Sequence, residues 1–264
     1  MNLESLFEIY LREYLSANRG IIGRLEDTLP DIYAQWTNER LPQLGGKTPR
    51  EFISGITDVK ELAELALANV AKGGEPAPVA ADKLVETPSA ALVLADILEG
   101  DGDEKVRMAV AELLDRMDKL PLGSCAEIVF DPDTPAALRE SLVERLKYDG
   151  AAIKRELLAR VGETEGEAKK VLADLLVSAG VTDDRVYVLL TELLNEPGCL
   201  PLACQLLADY GDPRAIEPLI EIASKCPYAD FIEVRSAVER LGSDLPLRFD
   251  FEGDPTYKKI KGEL

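Results

Sequence analysis

Hydrophobic positions recur at three and four along most of this chain, the period of a helix that buries one face. Leu3, Leu6, Phe7, Tyr10, Leu11, Tyr14 and Leu15 keep that spacing without a miss and predict an amphipathic helix over residues 1–17. Its polar side carries Glu4, Glu8 and Glu13 rather than Lys and Arg, so it reads as a cap on the end of the fold and not as a membrane-surface helix. A second short helix is expected over residues 30–40, around Ile32, Tyr33 and Trp36. Thr48 and Glu51 have capping-box spacing, with Pro49 at the first helical position. Asp58 with Glu61 predicts the start of a further helix that runs to about Val70. Lys72 to Pro78 (Lys-Gly-Gly-Glu-Pro-Ala-Pro) is the strongest loop or hinge signal.

From residue 88 the pattern becomes repetitive. The stretches that open at Asp183-Asp184-Arg185 and at Asp212-Pro213-Arg214 align, and the same length carried backwards gives 88–118, 119–149, 150–180, 181–211 and 212–242. Leu113-Leu114, Leu175-Leu176 and Leu206-Leu207 lie 62 and then 31 residues apart. The second segment fits after a shift of one residue (Leu142, Val143, Leu146), and the last after a few (Val234, Ala237, Val238, Leu241). Each segment predicts two antiparallel helices. In the first, Gly100-Asp101-Gly102 makes the break and Asp103 caps a helix carrying Val106, Ala109, Val110, Leu113 and Leu114. In the second, Thr134 is the expected N-cap and Pro135 the first helical residue. Gly180, Gly211 and Gly242 stand where a helix must leave through a left-handed residue. One such pair cannot bury its apolar side alone, whereas stacked neighbours can, and the expected product is a curved solenoid.

Gly211-Asp212-Pro213-Arg214-Ala215-Ile216-Glu217-Pro218-Leu219-Ile220 resembles the first helix of a HEAT repeat, in the short bacterial form first seen in phycobilisome lyases. Asp103-Glu104-Lys105-Val106-Arg107-Met108-Ala109 and Glu233-Val234-Arg235-Ser236-Ala237 are similar to its second helix. The resemblance covers about residues 76–242. It departs in the middle, where 164–171 lacks the Arg and 197–203 begins Pro-Gly-Cys. It implies an α-α superhelix, armadillo-like, and a family that is mostly scaffolding. It also implies that the second helix of each pair lines the concave side. Arg107, Arg139 and Arg235 would tie neighbouring turns through Asp, with Asp183 and Asp212 as counterparts. The Trp36 to Phe52 segment is similar to an N-terminal element of bacterial HEAT-like proteins and, more faintly, to toxin-binding domains of antitoxins.

Charge and composition narrow the chemistry. The 264 residues hold 30 Lys plus Arg against 49 Asp plus Glu, a net charge of −19. So acidic a surface repels phosphate backbones, which argues against nucleic acid and against a DNA-alkylation-repair solenoid. Histidine is absent, which removes the usual general base and the commonest metal ligand. Cys125, Cys199, Cys204 and Cys226 form no Cys-x-x-Cys pair and read as small hydrophobes in helices. Gly46-Lys47-Thr48 matches the end of a phosphate loop, but the first glycine would fall on Leu41 and no strand precedes it. Asp101, Asp103 and Glu104 hint at a calcium loop, but Val106 stands where glycine is needed. No signal peptide or membrane span is read, so the expected location is cytoplasmic.

The fold class expected is all-α: an N-terminal helical cap over 1–75, about five HEAT-like repeats within 76–242, and an irregular tail over 243–264. In that tail Leu247, Phe249 and Phe251 alternate as an extended strip, and Tyr257-Lys258-Lys259-Ile260-Lys261 is locally basic. One constellation suggests a binding surface. Glu112, Glu144, Asp174, Gln205 and Glu239 fall at near-equivalent places on the second helices and would form an acidic row along the groove. The expected function is a non-catalytic protein-interaction scaffold, without cofactor or metal, that binds a protein or peptide of basic character. The alternatives are a bilin-lyase-type enzyme, or an antitoxin-like toxin binder acting through residues 30–56.

Overall fold

The computed structural model describes residues 3–18, 20, 25–245 and 249–262, with the backbone alone at position 26. The protein is all-helical: among the described residues no strand forms, and the one β-type contact is an isolated bridge between Leu41 and Lys47. The chain divides into two compact units, Met1–Leu142 and Val143–Leu264.

The first unit opens with α1 (Leu3–Ala17) and α2 (Leu25–Trp36), which pack on each other. The second helix starts earlier than the expected 30–40 and ends at Trp36, with Pro30 in its first half. Pro30 is the sixth residue of the helix, past the first four N–H groups that have no internal partner, so its ring removes one intrahelical hydrogen bond. The capping box forms as the sequence predicts. Thr48 Oγ1 accepts from the Glu51 N–H at 3.0 Å, and the Glu51 carboxylate accepts from the Thr48 N–H at 3.0 Å, at the head of α3 (Pro49–Ser54). Asp58 caps α4 (Val59–Leu67), which stops short of Val70.

After α4 the Lys72 to Pro78 loop leads to α5 (Pro78–Val85), then α6 (Ala90–Glu99), α7 (Glu104–Arg116) and α8 (Leu122–Phe130). The loop separates no units: α4 packs on α5, α4 also on α6, and α5 on α7. Leu62, Leu84, Leu94, Leu98, Val110 and Leu114 are buried along these contacts. The Lys83 ammonium donates to the Ile53 carbonyl at 2.7 Å, to Ser54 at 3.0 Å and to Ile56, closing the open C-terminal end of α3.

The division between units falls inside α9 (Ala136–Asp149). This helix begins one residue later than expected, since the Arg139 N–H bonds to the Pro135 carbonyl. Thr134 turns its hydroxyl to the Ile128 carbonyl, at 2.6 Å, and so finishes α8. The second unit continues with α10 (Lys154–Ala159), α11 (Gly166–Ser178), α12 (Asp184–Leu193), α13 (Leu200–Tyr210), α14 (Ile216–Ala223) and α15 (Tyr228–Arg240). The helices α11, α13 and α15 neighbour one another in that order, and α12 and α14 pack against them. Leu175-Leu176 and Leu206-Leu207 are buried on this layer, as are Val234 and Val238. Gly180, Gly211 and Gly242 all take positive φ, at 61°, 75° and 83°, as their places after helices demand.

The tail is not irregular throughout. Asp254 caps α16 (Pro255–Lys261), and its carboxylate also accepts from the Tyr228 N–H at 3.0 Å. Asp-Pro is the same opening that Asp212-Pro213 gives to the turn before α14, so the signal was present in the sequence. Phe249, Phe251 and Tyr257 join Tyr228 and Phe231 of α15 in one ring cluster, with contacting centroids 4.7 to 6.4 Å apart. Leu247, the first member of the expected strip, lies outside the described residues.

Candidate interaction surface

Four of the five residues of the expected acidic row belong to the second unit, and Glu112 belongs to the first. Glu112 is exposed on α7 beside the buried Leu113-Leu114. Glu144 and Asp174 are brought together by Lys147, whose Nζ lies 2.9 Å from a carboxylate oxygen of each. The hydrogen bond to Glu144, and behind it Asp174, raises the pKa of Lys147 against the burial that lowers it. Gln205 is exposed on α13. Glu239 is exposed on α15 and bound by Arg235 Nε at 2.7 Å, an i,i+4 pair. Three of the four carboxylates in the row are therefore paired with a cation, Glu144 and Asp174 sharing Lys147.

The charged groups do more between segments than along one face. Arg214 lies 2.8 Å from Asp184 and 2.6 Å from Asp212, and its guanidinium carbon stands 4.3 Å from the centre of the Tyr187 ring. The Tyr187 hydroxyl donates to the Arg214 carbonyl at 3.1 Å. The Tyr210 hydroxyl serves both backbone groups of Asp183, accepting from its N–H at 3.1 Å and donating to its carbonyl at 3.0 Å. Arg240 pairs with Asp209. Lys169, only 14% exposed, sits between Glu192 at 2.8 Å and Glu196 at 2.7 Å. Apart from Arg214 with Asp212 and Lys169 with Glu192, these ties join residues 27 to 31 positions apart. That is close to the segment length read from the leucine pairs.

The resemblance implied other partners for the arginines. Arg107 is buried and its Nε donates to the Leu98 carbonyl at 2.9 Å, holding an end of α6. Arg139 donates to the carbonyls of Asp131, Pro132 and Thr134 at 2.9 to 3.3 Å. Arg235 meets Glu239, not an Asp. Asp183 and Asp212 are engaged inside their own turns, by Arg185 and Arg214 two residues on. A guanidinium beside a helix end finds unpaired carbonyls nearer than a neighbour's carboxylate, and sequence spacing cannot show that competition.

The Asp183 turn has a pH signature. The Arg185 side chain first, and its backbone N–H second, lower the Asp183 pKa to about 2 from 3.8. A depressed carboxyl contributes stability that is present above its ordinary pKa and fades as pH falls towards the depressed one, here from about 4 to about 2. Arg185→Gln is expected to move the Asp183 midpoint back up, part of the way, because the backbone donor stays. A carboxyl-carbon NMR titration measures this, and an unmoved midpoint would refute the pairing.

The remaining chemistry is sparse. Cys125, Cys199 and Cys204 are buried, and burial pushes the Cys204 thiol up to about 12, which keeps it protonated at neutral pH. Among the described residues no group of three metal-ligating side chains comes together. The Gly46-Lys47-Thr48 stretch is spent on local structure: Lys47 bridges to Leu41, Thr48 caps α3, and Arg40 binds the Gly46 carbonyl at 2.9 Å and Glu51 at 3.2 Å. No helix among the described residues is long and apolar enough to cross a membrane. Comparison with protein-family models, with curated proteins and with solved structures finds no significant match to this chain.

Proposed function

We propose that this protein is a non-catalytic interaction scaffold whose helix pairs stack as HEAT-like repeats in an α-α superhelix, and that it binds a protein or peptide of basic character. The observation that carries the reading is the set of side-chain ties 27 to 31 residues apart, four of which link the helix pair of 150–180 to that of 181–211 and that pair to the one of 212–242. Such wiring supports a stack of similar units, an arrangement that serves binding along an extended face. The net charge of −19 favours a cationic partner. That partner meets Glu144, Asp174 and Glu239 already paired, so its own cations compete with Lys147 and Arg235. Competition of this kind keeps affinity modest and makes it depend on salt.

A fluorescent peptide rich in Lys and Arg, titrated by anisotropy, tests this. Its affinity is expected to fall at least about tenfold between about 0.1 M and 1 M salt, as the screening length shrinks from about 10 Å to about 3 Å. The triple variant Glu112→Lys, Glu144→Lys and Glu239→Lys is expected to abolish binding while leaving the helical circular dichroism intact. Binding indifferent to salt and to these changes would overturn the proposal.

A further inference from the structure

A cavity of about 490 Å³ opens on the first unit between α1, α2 and the loop that leads into α5. Its size suits a ligand between a dipeptide and a drug-sized molecule. One wall is aromatic: Phe7 and Tyr33 have ring centroids 4.9 Å apart, Phe7 and Trp36 5.2 Å, and Tyr33 and Trp36 5.3 Å. Leucines and prolines, among them Leu29 at the rim, complete the apolar lining. The charged side chains lining it, among the described residues, are two carboxylates, Glu4 and Glu75. Asn69 donates an amide N–H to Glu4. Burial first, and then Glu4 and Asp82, push the Tyr33 hydroxyl up to about 12 against an opposing hydrogen bond from the Val79 backbone, so the ring stays neutral.

Rings and carboxylates in one small cavity select a particular ligand chemistry. Anions are repelled by Glu4 and Glu75. A purely apolar ligand would cover the exposed Glu75 carboxylate without pairing it. A flat cation on an apolar stem satisfies both walls, since a guanidinium stacks on aromatic faces and meets a carboxylate with two parallel donors. We infer that this cavity receives an arginine side chain, together with an apolar neighbour, from a basic peptide. The inference shares with the proposed function the basic character of the partner but none of its surface, so the two readings fail separately.

Trp36 is the only tryptophan in the chain and lies in the cavity wall, so its emission reports on occupancy. The full-length protein is titrated with the blocked peptide acetyl-Gly-Leu-Arg-Leu-Gly-amide and with versions carrying citrulline or lysine in place of arginine. The arginine peptide is expected to shift the emission saturably. Citrulline, the same shape without charge, is expected to bind about tenfold more weakly, and lysine several-fold more weakly. Glu75 is exposed, and Glu75→Gln is expected to weaken the arginine peptide several-fold while the emission of the unliganded protein stays unchanged. Leu29→Arg, which places a cation at the rim, is expected to abolish the response. The triple charge reversal described above is expected to leave the response intact. Equal affinity for the citrulline or lysine peptide, no saturable response, or loss of the response in the triple variant would overturn the inference.

Discussion

Replacing Leu207 with alanine is expected to lower the free energy of unfolding by about 3 kcal/mol, within the range for leucines truncated in a packed core. Leu207 is fully buried on α13, the helix that lies between α11 and α15 in the second unit. Truncation removes the transfer energy of the side chain and leaves a void that helices on both sides can fill only in part. Gln205 stands two residues away on the exposed side of the same helix, and Gln205→Ala is expected to change stability by less than about 0.5 kcal/mol. Urea unfolding measures both. The Leu207 variant should show a lower midpoint at an unchanged slope, the mark of a stability change that leaves the unfolded state alone. A loss under about 1 kcal/mol would contradict the packing of α13 between its neighbours.

Arg107→Met is expected to cost about 2 kcal/mol, although methionine is apolar and long enough to keep most of the packing. The cost arises at Leu98. Its carbonyl belongs to the last turn of α6, where helix carbonyls lack internal partners, and the Arg107 Nε supplies one at 2.9 Å. Removal leaves a buried acceptor unpaired and takes a positive charge from a helix C-terminus. Arg116, on the same helix, is the control. It is paired with Asp82 at 2.8 Å but is 44% exposed, and Arg116→Met is expected to cost under about 1 kcal/mol. The difference between these two arginines, read by thermal or urea unfolding, checks the assignment. Equal small losses would mean that the Leu98 carbonyl finds water when Arg107 is gone.

Local chemistry explains which features could be read from the residues. The capping box at Thr48, the Asp103 cap and the left-handed exits at Gly180, Gly211 and Gly242 depend on neighbours a few positions away, so spacing alone identified them. The leucine pairs at 175–176 and 206–207 marked buried faces because helix period and burial are one pattern. Helix bounds and the tail differed from expectation. The helix expected over 30–40 in fact begins five residues before Pro30, and the tail expected to be irregular contains Asp254-Pro255, which opens α16. The Leu98 partner of Arg107 and the cavity beside Trp36 were not legible at all. Each depends on which elements meet in space, and residues 3–7 touch the same cavity as residues 75–78 with nothing in the intervening sequence to say so. Of the pairs that neutralise most of the acidic row, Lys147 with Glu144 and Arg235 with Glu239 lie three and four positions apart on one helix and were legible, whereas Lys147 with Asp174 depends on which helices meet.

The ring cluster over α15 has a consequence for assembly. A layer built by adding helices one beside the next has no natural stopping point, and an uncovered last helix is a template on which another copy could continue the series head to tail. Phe249, Phe251 and Tyr257 occupy that place with the chain's own residues, and Asp254 fastens them to the first backbone N–H of α15. Any helix added against that face of α15 would first have to displace these rings.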